Sequence, residues 1–142
     1  IEVAKLDPRM KVVTIERNSE MIVQAKKNIE ESGLSAQITL IEGDALEVNV
    51  DGMFDCIFID AAKAQYQRFF EKYCMHLNEN GIIVSDNMNF HGLVEHPELS
   101  RNRNTRQLVR KIHDYHTYLA ELSDYETAFY DYGDGVAITR RK

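Results

Sequence analysis

Apolar and polar positions along the chain follow two alternating periods. "KVVTIE" (11–16) is a short apolar run closed by a carboxylate, the pattern of a buried strand. "NSEMIVQAKKNIEESG" then changes to helical spacing. Met21, Ile22, Ala25 and Ile29 share a face, Asn18 or Ser19 can cap the start, and Gly33 stops the helix. "QITLIEGDA" predicts a second strand ending near Gly43-Asp44, and "FDCIFID" (54–60) a third. From Gln65 to Leu77, Tyr66, Phe69, Phe70, Tyr73 and Leu77 mark an amphipathic helix that Asn80-Gly81 should end. "GIIVSD" (81–86) predicts a fourth strand.

A longer helix is expected from about Asn104 to Leu122, burying Leu108, Ile112, Tyr115, Leu119 and Leu122. Arg103, Arg106 and Arg110 fall on another of its faces. The ending "YETAFYDYGDGVAITRRK" places two strand-like runs around Gly133-Asp134-Gly135, which reads as a hairpin. Strands alternating with helices predict an α/β fold with a mostly parallel sheet and a final antiparallel hairpin. The opening "IEVAKLDPRMK" looks like the end of a helix stopped by Asp7-Pro8, and something upstream of it is expected.

The chain's 142 residues fit a single domain, 1–142, with enough length to bury a core. The composition, 44% hydrophobic and 28% charged, is that of a globular domain. No apolar run reaches membrane-span length and no signal-peptide pattern opens the chain. Cys56 and Cys74 lie in apolar patterns, which predicts reduced core residues of a cytoplasmic protein with no membrane association. A net charge of -6 argues against non-specific nucleic-acid binding, but it hides one basic run. "SRNRNTRQLVRKIH" (100–113) carries Arg101, Arg103, Arg106, Arg110 and Lys111 with no acidic residue.

In a parallel sheet, ligands bind beyond the carboxyl ends of the strands. Glu16, Asp44, Asp60, Asp86 and Asn87 all fall there, and should converge on one side. Asp60, Asp86 and Asn87 are hard oxygen donors with no Cys or His beside them, which suits Mg²⁺ better than zinc. The competing reading is that they cap following helices. Glu16 can accept hydrogen bonds from a ribose, or be a solvated loop residue. Asp44 and the Ala45 backbone could lie against a nucleobase. Lys63, near a helix start, could serve as a general base whose pKa a metal would lower, or be an exposed lysine. The five histidines are scattered and read as structural or solvated. Neither Gly-x-Ser-x-Gly nor a Walker sequence occurs.

"VVTIERN", "GDA", "CIFIDAAKAQYQRFFEKY", "GIIVSDNMNFHGLV" and "YGDGVAIT" together resemble the metal-dependent S-adenosylmethionine O-methyltransferases of the catechol and caffeoyl-CoA type. Within that family the chain is most similar to bacterial enzymes that methylate 5-hydroxyuridine in tRNA. The resemblance implies a Rossmann-like class I methyltransferase fold with S-adenosylmethionine and Mg²⁺, or another divalent cation, as cofactors. It implies that Glu16 holds the ribose, that Asp44 and Ala45 lie by the adenine, and that Asp60, Asp86 and Asn87 hold the metal. Asp60 would also lie near the methyl donor, and Lys63 by the acceptor oxygen. Arg101, Arg103, Arg106 and Arg110 would then contact tRNA, or form a solvated face if the acceptor is a small catechol. A homodimer is the expected assembly.

One departure stands out. The family's first strand and glycine-rich loop have no counterpart here, since the seven glycines form no G-x-G-x-x-G. That strand lies mid-sheet in the family, so the first strand is expected to be absent from this chain. A polypeptide of these residues alone is expected to bind S-adenosylmethionine poorly. A nicotinamide-dependent (NAD) oxidoreductase would also use Glu16 on a ribose, but has no need of Asp60, Asp86 and Asn87. A non-catalytic fragment is the other alternative.

Overall fold

The computed structural model describes residues 1–89 and 102–142. They form two compact units, Ile1–Val50 and Asp51–Lys142.

In the first unit a short helix α1 (Glu2–Lys5) precedes β1 (Val12–Glu16), α2 (Ser19–Glu31) and β2 (Ile38–Glu42). The two strands pair in parallel, with Glu16 opposite Glu42. Asn18 is the N-cap of α2, and its side-chain oxygen accepts from the Glu20 and Met21 amides. Gly33 follows the helix at φ +70°, a left-handed conformation that glycine adopts without a Cβ penalty. The Gln37 side chain donates to the carbonyls of Ala4, Asp7 and Met10, tying the α1–β1 connection to the start of β2. Ile22 is buried on α2 as expected, but Met21 is 55% exposed. It stands one residue off the buried stripe.

The second unit runs β3 (Phe54–Ile59), a 3-10 turn (Lys63–Gln65), α3 (Tyr66–Tyr73), a second 3-10 turn (Cys74–His76) and β4 (Leu77–Asp86). It closes with α4 (Arg103–Glu121), β5 (Tyr125–Tyr130) and β6 (Val136–Arg141). Its strands lie in the order β3-β4-β6-β5. β3 and β4 are parallel, and the β5–β6 hairpin joins β4 antiparallel through β6. Tyr66, Phe69, Phe70 and Tyr73 bury one face of α3, and Val109, Ile112, Tyr115 and Leu119 one stripe of α4.

Three expectations need correction. β4 begins at Leu77, so Asn80-Gly81 lies inside a strand instead of ending a helix. The register shifts between Phe54 and Cys56, and a Cβ on Gly81 would stand 3.0 Å from the Phe54 carbonyl, so glycine there serves a close strand approach. On α4, Ile112, Tyr115 and Leu119 are buried as expected, but Val109 takes the place of the half-buried Leu108, and Leu122 is a half-buried C-cap. The pairing matches the expected absence of the family's first strand: among the described residues β1 pairs with β2, and β3 with β4. Finally, Cys56 is exposed and Cys74 half-buried, both as free thiols. Cys56 shares its outward face of β3 with Phe58, which is 60% exposed, so an apolar run did not guarantee two covered faces.

Candidate active site

Parallel pairing sets which side chains meet. In the first unit the carboxyl ends of β1 and β2 lie together, and the Gly43 amide donates to the Glu16 carbonyl at 2.9 Å. Glu16 Oε1 accepts from the amides of Arg17 and Asn18, both at 2.8 Å. Asp44 Oδ1 accepts from the Leu46 amide at 2.8 Å, and Oδ2 pairs with the Arg17 guanidinium at 2.8 Å. Glu16 and Asp44 are thus brought to one end of this sheet, each fixed by its own loop. Ala45 follows Asp44 in the same turn.

In the second unit Ile59 pairs with Ser85, so Asp60 and Asp86 are the next residues beyond adjacent strand positions. Asp60 is exposed; Asp86 and Asn87 are half-buried. Asp86 Oδ1 accepts from the Asn87 amide at 2.7 Å, and Asn87 has φ +57°. Asparagine is among the few residues that tolerate this left-handed backbone. Lys63 opens the 3-10 turn, half-buried, with Nζ 6.0 Å from the Tyr66 ring centroid. Lys63, Tyr66, Gln67, Lys111, Asp114 and Tyr115 line a small cleft.

The tyrosines beneath these ends are the part that the sequence reading missed. Tyr66 is 1% exposed, and its hydroxyl donates to the Asp86 carbonyl at 3.0 Å. Burial raises its pKa well above the ordinary phenol range. The charges of Asp60 and Asp86 add to that rise. The available signal was a tyrosine at a buried helix position that phenylalanine would also fill.

The segment after Asn87 is fastened from two sides. Met88 and Asn89 amides donate to the carbonyls of Gly135 and Asp134 in the hairpin turn, at 2.9 and 2.7 Å. His116 donates from Nε2 to the Met88 carbonyl at 3.0 Å and stacks on Phe129. Burial lowers its pKa, and the structural role expected for it holds. Arg103, Arg106 and Arg110 are exposed on α4; Arg101 lies outside the described residues.

Two carboxylates and an amide oxygen at adjoining strand ends form a hard-donor set that fits a divalent cation and offers little to a soft metal. Among the described residues no cluster of three or more His, Cys, Asp or Glu side chains could hold a metal. Any cation here therefore needs the Asn87 amide or ligands from outside the chain.

A sequence model of the O-methyltransferase family matches residues 2–142. This chain belongs to that family. It is 33% identical over 85 residues to a catechol O-methyltransferase of Niastella koreensis, covering 55% of this chain and 38% of that protein. It is 27% identical over 140 residues to a probable caffeoyl-CoA O-methyltransferase of Arabidopsis thaliana, covering 92% of this chain and 60% of that one. The chain thus spans less than two thirds of each of these relatives. Among solved structures, a Staphylococcus aureus protein provisionally assigned as a caffeoyl-CoA O-methyltransferase superposes with TM-score 0.92 at 42% identity, over 98% of this chain and 68% of that one. An S-adenosylhomocysteine-bound methyltransferase of Podospora anserina superposes with TM-score 0.85 at 27% identity, over 93% and 61%. The fold of this O-methyltransferase-family chain is accordingly the Rossmann-like class I methyltransferase fold, and the dehydrogenase alternative falls away.

Proposed function

We propose that this chain belongs to an S-adenosylmethionine-dependent, divalent-cation-assisted O-methyltransferase that methylates 5-hydroxyuridine in tRNA. The observation that carries the reaction class is the placement of Asp60 and Asp86 at the ends of a parallel strand pair, within a family match spanning nearly the whole chain. The support for tRNA is the exposed row of Arg103, Arg106 and Arg110 on α4, which has the spacing and charge to meet phosphates.

Asp60, Asp86 and Asn87 would hold the cation, Mg²⁺ in the first instance. A bound dication supplies positive charge that lowers the pKa of an acceptor hydroxyl. S-adenosylmethionine, when bound, would supply its sulfonium methyl to the acceptor oxygen, leaving S-adenosylhomocysteine. Glu16 engages its own loop through Oε1 and would accept from the ribose hydroxyls. Asp44 and Ala45 would border the adenine, with Arg17 holding Asp44 in place. Lys63 would take the hydroxyl proton at Nζ, and Asp60 would also face the methyl donor. Most of the rate gain is expected from positioning and fixed charge.

A small catechol is the second reading, favoured by the similarity to the Niastella koreensis protein and by the net charge of -6. A catechol and 5-hydroxyuridine both present two adjacent oxygens. Transfer of labelled methyl from S-adenosylmethionine, with Mg²⁺ or with a chelator, to 5-hydroxyuridine-bearing tRNA and to catechol in parallel separates the two. Cation-dependent labelling of tRNA is the expected result. Labelling of catechol alone makes the protein a small-molecule enzyme, and labelling of neither sinks the proposal. A cytoplasmic location and a homodimer belong to the same proposal; among the described residues no helix is long and apolar enough to cross a membrane.

A further inference from the structure

We propose that Tyr66 and Tyr115 are positioning residues that fix the Asp60/Asp86 end of the sheet through their hydroxyls. The inference rests on the cation-site reading above. The two tyrosines reach the same strand end from different helices. Tyr66, the first residue of α3, donates to the Asp86 carbonyl at 3.0 Å. Tyr115, in the middle of α4, shares a 2.9 Å hydrogen bond with the Ser85 hydroxyl. Their rings meet edge to face, with centroids 5.6 Å apart, so the two contacts brace one another.

Burial sharpens the case. Tyr66, Tyr115 and Ser85 are 1%, 2% and 1% exposed. A hydroxyl taken from water to such a place costs free energy unless it is hydrogen-bonded, and phenylalanine would fill the same volume without that cost. The retained hydroxyls therefore have a local task, and both act on consecutive residues of β4. The Tyr66 hydroxyl thus holds the last residue of β4, which the pairing of Ile59 with Ser85 sets beside the end of β3. The β3–β4 ladder sets the two strand ends side by side, and groups behind metal ligands commonly tune affinity by fixing such ends.

The test is Mn²⁺ binding to the full chain, read by electron paramagnetic resonance without S-adenosylmethionine or acceptor. Tyr66→Phe and Tyr115→Phe are compared with Tyr118→Phe, which alters the same aromatic cluster by one hydroxyl. Circular dichroism and thermal melting report folding of each variant. Tyr66→Phe is expected to weaken Mn²⁺ binding about 10-fold, Tyr115→Phe by less, and Tyr118→Phe not at all. Unchanged affinity in folded Tyr66→Phe overturns the inference. So does an equal loss in all three variants, which would mean general loosening of the cluster. Absence of Mn²⁺ binding in the unaltered protein defeats the cation site itself, a failure distinct from either.

Discussion

Asp86 has two jobs at once: its carbonyl accepts from Tyr66, and its Oδ1 accepts from the Asn87 amide. Asp86→Ala and Asp60→Ala should each reduce cation-dependent methyl transfer by at least about 100-fold, since each removes a charged donor at the reacting centre. Initial-rate assays over a Mg²⁺ series check this, and near-normal rates in either variant would remove the assigned site. His116 yields a pH prediction. Burial holds its folded-state pKa below the unfolded value of about 6.5, partly offset by its bond to the Met88 carbonyl. Its contribution is intact above that value and is lost as pH falls below it, because the unfolded chain then takes up a proton that the fold disfavours. The melting temperature should drop less between about pH 7.5 and pH 5.5 in His116→Gln than in the unaltered protein; equal drops would refute this. Residue type carried much of the site in advance: a carboxylate after an apolar run is visible in "FIDAAK" and "VSDN". Tyr66 was visible only as part of a helical stripe, because periodicity reports which face is buried and not where a hydroxyl points.

At the scale of elements, the hairpin turn is the fastening point of the loop that leaves β4. Gly135 has φ +81°, and a Cβ there would lie 2.8 Å from the Asn89 nitrogen. Gly135→Ala should therefore cost roughly 1–2 kcal/mol for the left-handed backbone alone, and more for the collision with Asn89. Chemical denaturation measures the loss, and a change near zero would show that the turn can relax. β1, α2, β3, β6 and the buried face of α3 follow from apolar period and caps, and were legible. The extension of β4 back to Leu77 was not. Residues 77–80 read "LNEN", a sequence with no strand character of its own; the pairing of Leu77 with Phe54, ahead of the register shift, starts the strand there. The exposure of Cys56 was hidden for a related reason. An apolar run predicts a strand, but what covers each face depends on elements that the run does not name.

For the whole molecule, the total charge and the local charge point to different partners. The net charge is -6, yet the outer side of α4 carries Arg103, Arg106 and Arg110. If these meet tRNA phosphates, affinity should fall with added salt. Replacing all three with alanine should flatten that dependence by about 0.7–0.9 logarithmic units for each phosphate no longer neutralised. Filter binding at several salt concentrations checks this; an unchanged slope, with catechol turnover intact, would return the acceptor to the small-molecule class. The order of the strands has a further consequence in time. β3 and β4 are close in sequence, but the other side of β4 is filled by β6, with Asp86 opposite Val136 and Ile82 opposite Arg140. As the polypeptide leaves the ribosome, the strand that carries Asp86 must wait with one edge open while the whole of α4 and β5 is synthesised. Long-range pairings of this kind form late and leave a newly made chain open to association with its neighbours. Nascent protein should therefore be most dependent on chaperones in the interval before β6 emerges, and the acidic end of β4 should be among the last parts of the molecule to take its final shape.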